Sequence, residues 1–351
     1  MQALTVRPGV TGSLSLRDVP EPRRGEGGLL VEALAVGLCG TDSEIINGEY
    51  GEAPPGEEFL VLGHENLGRV LEAPPASTLS VGDLVVGIVR RPDPEPCPAC
   101  AAGEWDMCRN GHYTEHGIRG LHGFARARWR AEPEAVVRLH PSLGRLGVLL
   151  EPTTIVAKAW EQVERIGQRA FWHPQVIAIT GAGPVGLLAA LLGVQRGLRV
   201  HVFDRVTTGP KPDLVRSLGA TYHHDSLPDS GIRADVLFEC TGVPEVVVDV
   251  LRNSAPDAIV CLTGVSGVGT QLPLDVGALN REAVLGNRVV FGSVNANRRH
   301  YQQATRALTT ADHAWLGRLI TRTVPLHRYR EAFSRQADDV KVVLDFEAAG
   351  Q

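Results

Sequence analysis

Residues 176–195 read VIAITGAGPVGLLAALLGVQ, and this stretch decides the fold. The apolar, partly β-branched run from Val176 to Thr180 predicts a strand, and a helix is expected from Pro184 to about Gln195. Between them lies Gly181-Ala182-Gly183-Pro184-Val185-Gly186, a G-x-G-x-x-G turn in the strand–turn–helix setting that gives this motif its meaning. Gly181 permits a tight turn, Gly183 lets the backbone approach a pyrophosphate, and Gly186 lets the helix pack closely on the strand. The helix start adds unpaired N–H groups and a positive dipole end. Glycines alone would make only a turn. Here strand, turn, helix and a downstream acid all agree, and they point to a dinucleotide.

That acid is Asp204, which ends the next apolar run, RVHVF at 199–203. A carboxylate there accepts from ribose hydroxyls and opposes a 2′-phosphate, which favours NAD. The adjacent Arg205 carries a guanidinium suited to that phosphate, so NADP stays open. The candidate nucleotide-binding set is Gly181, Gly183, Pro184, Val185, Gly186, Asp204 and Arg205, with Thr241, Thr263, Ser293, Val294 and Asn295 further along.

Working outward, ADVLFE (234–239), AIVCL (258–262) and RVVFG (288–292) continue the series, with helical stretches between several of them. Strands alternating with helices imply an α/β, doubly wound parallel sheet. Near-continuous apolar runs suit strands covered on both faces. On the other side, the first 150 or so residues are rich in Gly and Pro, with short runs such as Leu29 to Val36 and Leu84 to Val89. They read as irregular, mainly β structure. PTTIVAKAWEQVER (152–165) has helical spacing and leads into the second domain. From residue 293 the alternating rhythm is lost, and helices plus a last strand, KVVLDF (341–346), are expected. The domain expectation is therefore 1–155, 156–292 and a C-terminal segment 293–351.

The length of 351 residues suits two or three domains. A hydrophobic share of 43% and a charged share of 21% are ordinary for a soluble globular protein. No uninterrupted apolar run has membrane-spanning length, and the first twenty residues lack a signal-peptide layout. A cytoplasmic protein with no membrane association is expected. The net charge of −5 gives no nucleic-acid footprint. The cations are nearly all Arg; only Lys158, Lys211 and Lys341 are Lys. Six Cys in a chain this long do not make a disulfide scaffold, and the grouping of Cys97, Cys100 and Cys108 points to metal. Cys240 and Cys261 fall in expected strands and read as core residues. The His223-His224 pair reads as surface.

Cys39 in GLCGTD, His64 in GHE and Glu151 at a helix start offer a thiolate, an imidazole and a carboxylate. That set suits zinc with an open position. Taken singly, each has an ordinary reading: a small buried thiol, a satisfied histidine, a first-turn acid.

LCGTD (38–42), LGHENLG (62–68), VGDLVVG (81–87), the Cys group and GAGPVG (181–186) together resemble the medium-chain dehydrogenase/reductase superfamily with catalytic zinc. GEYGEAPPGEEFLVLGHE (48–65), RRPDPEPCPAC (90–100), EPTTIVAKAWEQ (151–162) and SVNANRRHY (293–301) resemble its glucose 1-dehydrogenase family. The resemblance spans essentially the whole chain. It implies a Rossmann-type sheet plus a GroES-like catalytic domain to which the C-terminal segment returns. It also implies that Cys39, His64 and Glu151 ligate catalytic zinc, with Glu65 a further ligand. Thr41 would bond the reacting hydroxyl and begin a proton relay. Glu115, Glu151 and Asn295 would hold sugar hydroxyls. Without the resemblance, Glu115 reads as a solvated loop carboxylate and Asn295 as a turn residue.

The implied activity is hydride transfer from C1 of an aldose, β-D-glucose giving gluconolactone, to NAD or NADP. Carboxylate acceptors suit a hydroxyl-rich substrate because unmatched polar groups penalise an apolar competitor. Two alternatives stand: a zinc-dependent dehydrogenase of another polyol or an amino alcohol, and a non-catalytic nucleotide-binding sensor. The joint presence of Cys39, Thr41, His64 and Glu151 argues against the sensor. A homodimer or homotetramer is implied by the superfamily. One departure stands out. The superfamily's structural-zinc pattern is C-x2-C-x2-C-x7-C, and Pro94 occupies its first place. Three thiolates do not close a tetrahedral site. Asp93 or Glu95 as fourth donor, and three free thiols in a packed loop, are both open readings. Arg298, Arg299 and His300 read either as a solvated face or as a phosphate contact.

Overall fold

A computed structural model describes residues 1–267 and 269–347. The chain forms two compact units, Met1–Glu151 with Ala296–Gln351, and Pro152–Asn295.

The second unit is built on one six-stranded sheet. Its strand order is Thr221–His223, Arg199–Phe203, Val176–Thr180, Ala234–Glu239, Ser254–Leu262, Val289–Gly292, and every neighbouring pair is parallel. The first strand in sequence, Val176–Thr180, is thus central, with the chain winding outward from it in both directions. Its carboxyl end is the topological switch point, where ligands of such sheets bind. The helix Pro184–Gln195 follows. Leu187 to Leu192 are all buried, as expected of a helix apolar all round. Ala178, Phe203, Leu237, Val250 and Val260 form a core on the sheet. The ring of Trp160 meets that of Phe238 at 5.2 Å, and Arg196 lies over Trp160.

The first unit is a mixed β structure. Its main sheet runs Val136–Arg138, Leu84–Gly87, Glu65–Glu72, Leu29–Gly37, Lys341–Asp345, Ile320–Pro325, and Arg128–Ala131 also pairs with Leu29–Gly37. The late strand Lys341–Asp345 lies antiparallel to Leu29–Gly37 and parallel to Ile320–Pro325. That insertion is why the C-terminal segment belongs to this unit. Trp129 and Phe124 meet edge to face at 4.8 Å within its core, beside Val31, Val36 and Leu62. The irregular β structure expected here also holds a short helix, Gly40–Ile46, after the strand Leu29–Gly37. Cys261 is a buried strand residue, but Cys240 stands one residue beyond the strand Ala234–Glu239 and is half-buried. No helix among the described residues is long and apolar enough to cross a membrane.

Candidate active site

Backbone pairing assembles the site in the first unit. The register sets Gly37 opposite Glu65, so the loop leaving one strand meets the residues entering the next. A Cβ at Gly37 would stand 2.2 Å from Glu65 Oε2, so only glycine leaves room for that carboxylate. Cys39 caps the helix Gly40–Ile46 in extended conformation, and its N–H donates to Asp42 Oδ2 at 3.0 Å. Asp42 is fully buried, and its other oxygen lies 3.6 Å from His64 Nδ1. On the far side of the imidazole, His64 Nε2 lies 2.9 Å from Cys39 Sγ. The ligating atoms of Cys39, His64 and Glu65 all fall within 4.8 Å of one another.

The electrostatics of this group call for a cation. Burial opposes protonation of His64, yet Cys39 and Asp42 overcome it and hold the imidazole well above its usual value. Burial, assisted by Glu65, raises Asp42. Glu151, buried in the first turn of the helix Leu150–Gly167, is pushed up to about 7, first by burial and then by Glu65, against the lowering influence of His64 and Lys341. Besides the His64 imidazole, the buried cation facing these carboxylates among the described residues is Lys341, whose Nζ bonds both Glu65 oxygens at 2.7 and 2.6 Å and the Leu38 carbonyl at 2.9 Å. Burial works against the Lys341 charge, and Glu65, Cys39 and Asp42 restore and raise its pKa. A sulfur, an imidazole nitrogen and a carboxylate brought within 4.8 Å of one another fit zinc in donor type and softness.

Thr41 is half-buried in the first turn of the same short helix. Glu115 is no solvated loop residue. It is buried on the strand Thr114–His116, and Arg90 reaches its Oε1 through Nε at 3.1 Å and Nη2 at 3.0 Å. The Arg90 guanidinium in turn lies 3.6 Å from the centre of the Tyr113 ring.

The thiols of Cys97, Cys100 and Cys108 also gather within 4.8 Å, and no fourth metal-ligating side chain joins that group among the described residues. N–H groups of Arg109 and Cys100 lower the Cys97 thiol to about 6. Asp93 is buried but spends one oxygen on the Glu95 N–H. Three donors do not complete a tetrahedral structural site. The segment has another anchor: Asn297 Nδ2 donates to Asp106 Oδ1 at 2.7 Å, both residues buried. The neighbouring basic run is engaged within its own unit. Arg298 bonds the Glu134 carbonyl, Arg299 pairs with Glu104 at 3.3 Å, and His300 Nδ1 accepts from the Asn297 N–H at 3.0 Å.

In the second unit, Gly181 adopts φ 95°, and a Cβ at Gly186 would stand 1.9 Å from the Gly181 carbonyl oxygen. Both demands are met by glycine alone. Gly183 caps the helix and Pro184 occupies its first position, with Val185 and Gly186 completing the first turn. Thr241 and Thr263 converge on Glu239, at the carboxyl end of its strand. The Thr241 N–H donates to Glu239 Oε1 at 2.7 Å, and the Thr263 hydroxyl donates to the Glu239 carbonyl at 2.8 Å. Ser293 is buried, Val294 is exposed, and Asn295 holds φ 61°. Buried Lys158 donates to the Val294 carbonyl at 2.9 Å and fixes that loop. Asp204 Oδ2 accepts from the Ala182 N–H at 2.8 Å and from Lys211 Nζ at 3.0 Å, while Arg205 is exposed.

Asp42, Arg90, Lys158, Lys211, Glu239 and Lys341 were not singled out from the sequence. The scarcity of Lys was the one available signal, since all three lysines prove to be engaged at these sites.

Residues 25–141 match the model of the alcohol dehydrogenase GroES-like domain, and residues 144–346 match that of the glucose dehydrogenase C-terminus. Glucose 1-dehydrogenase 1 of Caldivirga maquilingensis is 40% identical over 98% of this chain and 99% of its own. Glucose 1-dehydrogenase of Thermoproteus tenax is 41% identical over the same shares. The structure of Haloferax mediterranei glucose dehydrogenase in complex with NADP, Zn and gluconolactone superimposes with a TM-score of 0.91, at 33% identity over 99% of both chains.

Proposed function

This chain belongs to the glucose 1-dehydrogenase family of the zinc-dependent medium-chain dehydrogenases, and from that premise we propose that it transfers hydride from C1 of β-D-glucose to NAD(P)+, giving gluconolactone. The observation that carries the reading is the close group of half-buried Cys39 with buried His64 and Glu65, in a chain that also holds a G-x-G-x-x-G nucleotide unit.

Cys39, His64 and Glu151 would hold the zinc, with Glu65 as a further ligand. When bound there, zinc supplies Lewis acidity that lowers the pKa of a sugar hydroxyl. The remaining work falls to the chain. The Asp42 carboxylate stands 3.6 Å behind the imidazole of His64, where its charge favours the imidazolium without a hydrogen bond. Lys341 compensates Glu65. The Thr41 hydroxyl accepts the departing hydroxyl proton while giving its own toward the coenzyme ribose and solvent. Glu115, held by Arg90, and Glu151 accept hydrogen bonds from the other hydroxyls. The turn after Gly181 and the start of the helix Pro184–Gln195 hold the pyrophosphate. Thr241, Thr263, Ser293 and Val294 line the nucleotide side, with Asn295 at the nicotinamide end.

We place the enzyme in the cytoplasm, a reading supported by its six free thiols. We also assign it a homo-oligomeric state, dimer or tetramer. The support is the outer strand Val289–Gly292, which pairs on one side among the described residues, with Val276, Val284, Leu285 and Val290 exposed around it.

The test is a set of initial rates with glucose, galactose, xylose, sorbitol and threonine, each with NAD and NADP, before and after chelation. Chelator-sensitive oxidation of glucose is the expected result. Turnover confined to sorbitol or threonine would overturn the aldose reading, and chelator-resistant turnover would overturn the role of zinc.

A further inference from the structure

Asp204 occupies the place where a carboxylate receives the adenosine ribose, but its acceptor capacity is largely committed. Oδ2 takes the Ala182 N–H at 2.8 Å and Lys211 Nζ at 3.0 Å, and Oδ1 takes the Val206 N–H at 3.2 Å. A carboxylate offers about four lone-pair sites. The two backbone donors are fixed by the turn and by the loop itself. The Tyr222 hydroxyl donates to the Asp204 carbonyl at 3.1 Å and to that of Val206, so this loop backbone is braced. Lys211 is the one partner that can leave.

The residue type suits that exchange. In a chain whose cations are almost all Arg, position 211 is one of three lysines. An ammonium on a flexible stem is a rotatable point charge, whereas a guanidinium is a planar fork committed to one geometry. Lys211 lies in the helix Pro210–Ser217, and its ammonium rests on Asp204 at the strand end. Arg205, next to Asp204, is exposed. A 2′-phosphate brought to this carboxylate meets repulsion unless a cation moves between them. A ribose diol needs the carboxylate oxygens and no cation.

We propose that Lys211 is the 2′-phosphate-binding residue of this chain, and that its pairing with Asp204 lets one site take both NADP and NAD. With NADP the ammonium turns from the carboxylate to the phosphate. With NAD it stays on Asp204, and the ribose hydroxyls bond the capacity that remains. The inference deepens the coenzyme half of the proposed function and rests on nucleotide binding at this turn.

Calorimetric titration of the full chain with adenosine 2′,5′-bisphosphate and with 5′-AMP reads the subsite without any turnover. Lys211→Met should weaken the bisphosphate relative to AMP by about tenfold or more, as loss of a charge-assisted phosphate contact does. Lys211→Arg should keep most of the discrimination. The NADP-to-NAD ratio of kcat/KM should fall in parallel. Equal weakening of both nucleotides by Lys211→Met would mark a merely structural residue and overturn the proposal. So would an unchanged ratio in Lys211→Met together with its loss in Arg205→Ala. A protein inert toward glucose that still shows the expected titrations would refute the sugar reading and leave this inference standing.

Discussion

Lys341 Nζ lies 2.6 Å from Glu65 Oε2, with both side chains buried, although the two residues are 276 positions apart in the chain. The pair ties the late strand to the candidate metal group. Lys341→Met leaves a carboxylate buried without its counter-charge, a change that costs about 3–5 kcal/mol. Thermal unfolding of the variant should show a clear drop. Adding Glu65→Gln to it should recover part of the loss, and purely additive effects would count against a direct coupling.

The imidazole of His116 gives the stability a pH dependence. Burial first, and then Arg91, holds its pKa well below the ordinary imidazole value of 6.5, while Nδ1 donates to the His122 carbonyl at 2.6 Å. The unfolded chain therefore binds a proton that the folded one refuses, so stability rises with pH in this window. It is complete above pH 6.5 and declines as the pH falls toward the depressed folded value. His116→Gln should flatten the melting temperature between pH 7 and the acid side. An equally steep decline in the variant would assign the effect elsewhere.

Gly186→Ala places a methyl against the Gly181 carbonyl oxygen, where there is room for none. Either the helix Pro184–Gln195 moves off its strand or the turn opens. A loss of about 2–3 kcal/mol in stability is expected. NADH fluorescence should show weakened binding as well, and unaltered binding would mean that the turn tolerates the displacement.

The two thiol groups should differ in metal analysis. A thiolate, an imidazole and a carboxylate in one place, the donor type of a zinc that keeps an open position, and three thiolates without a fourth donor in the other predict about one zinc per chain. Cys39→Ala should remove that ion and abolish turnover while nucleotide titration persists. Cys100→Ser should leave the metal content unaltered. About two ions per chain in the parent, falling by one in Cys100→Ser, would show that the lobe recruits a further donor.

Much of the nucleotide unit is legible locally because its signals are consecutive. Strand, turn and helix follow one another from Val176 to Gln195, and the parallel order follows from alternation. Cys39 and His64 stand in short recognisable stretches, and the register of one strand pair brings them together. The supporting charges are not legible in this way. Arg90 on Glu115, Lys158 on the Val294 carbonyl and Lys341 on Glu65 each depend on where distant strands land. Glu115 on its own looks like a surface acid, since nothing near it in sequence announces the guanidinium that lets it be buried.

The strand Lys341–Asp345 slots between two neighbours, one made early and one made late in synthesis. A growing chain delivers Lys341 only after the whole segment Pro152–Asn295 has left the ribosome. Until then Glu65 has no ammonium to fold against, and the sheet around it has a missing member. The main sheet of the first unit is therefore complete only once both ends of the chain have been made, whereas Pro152–Asn295 is one continuous stretch.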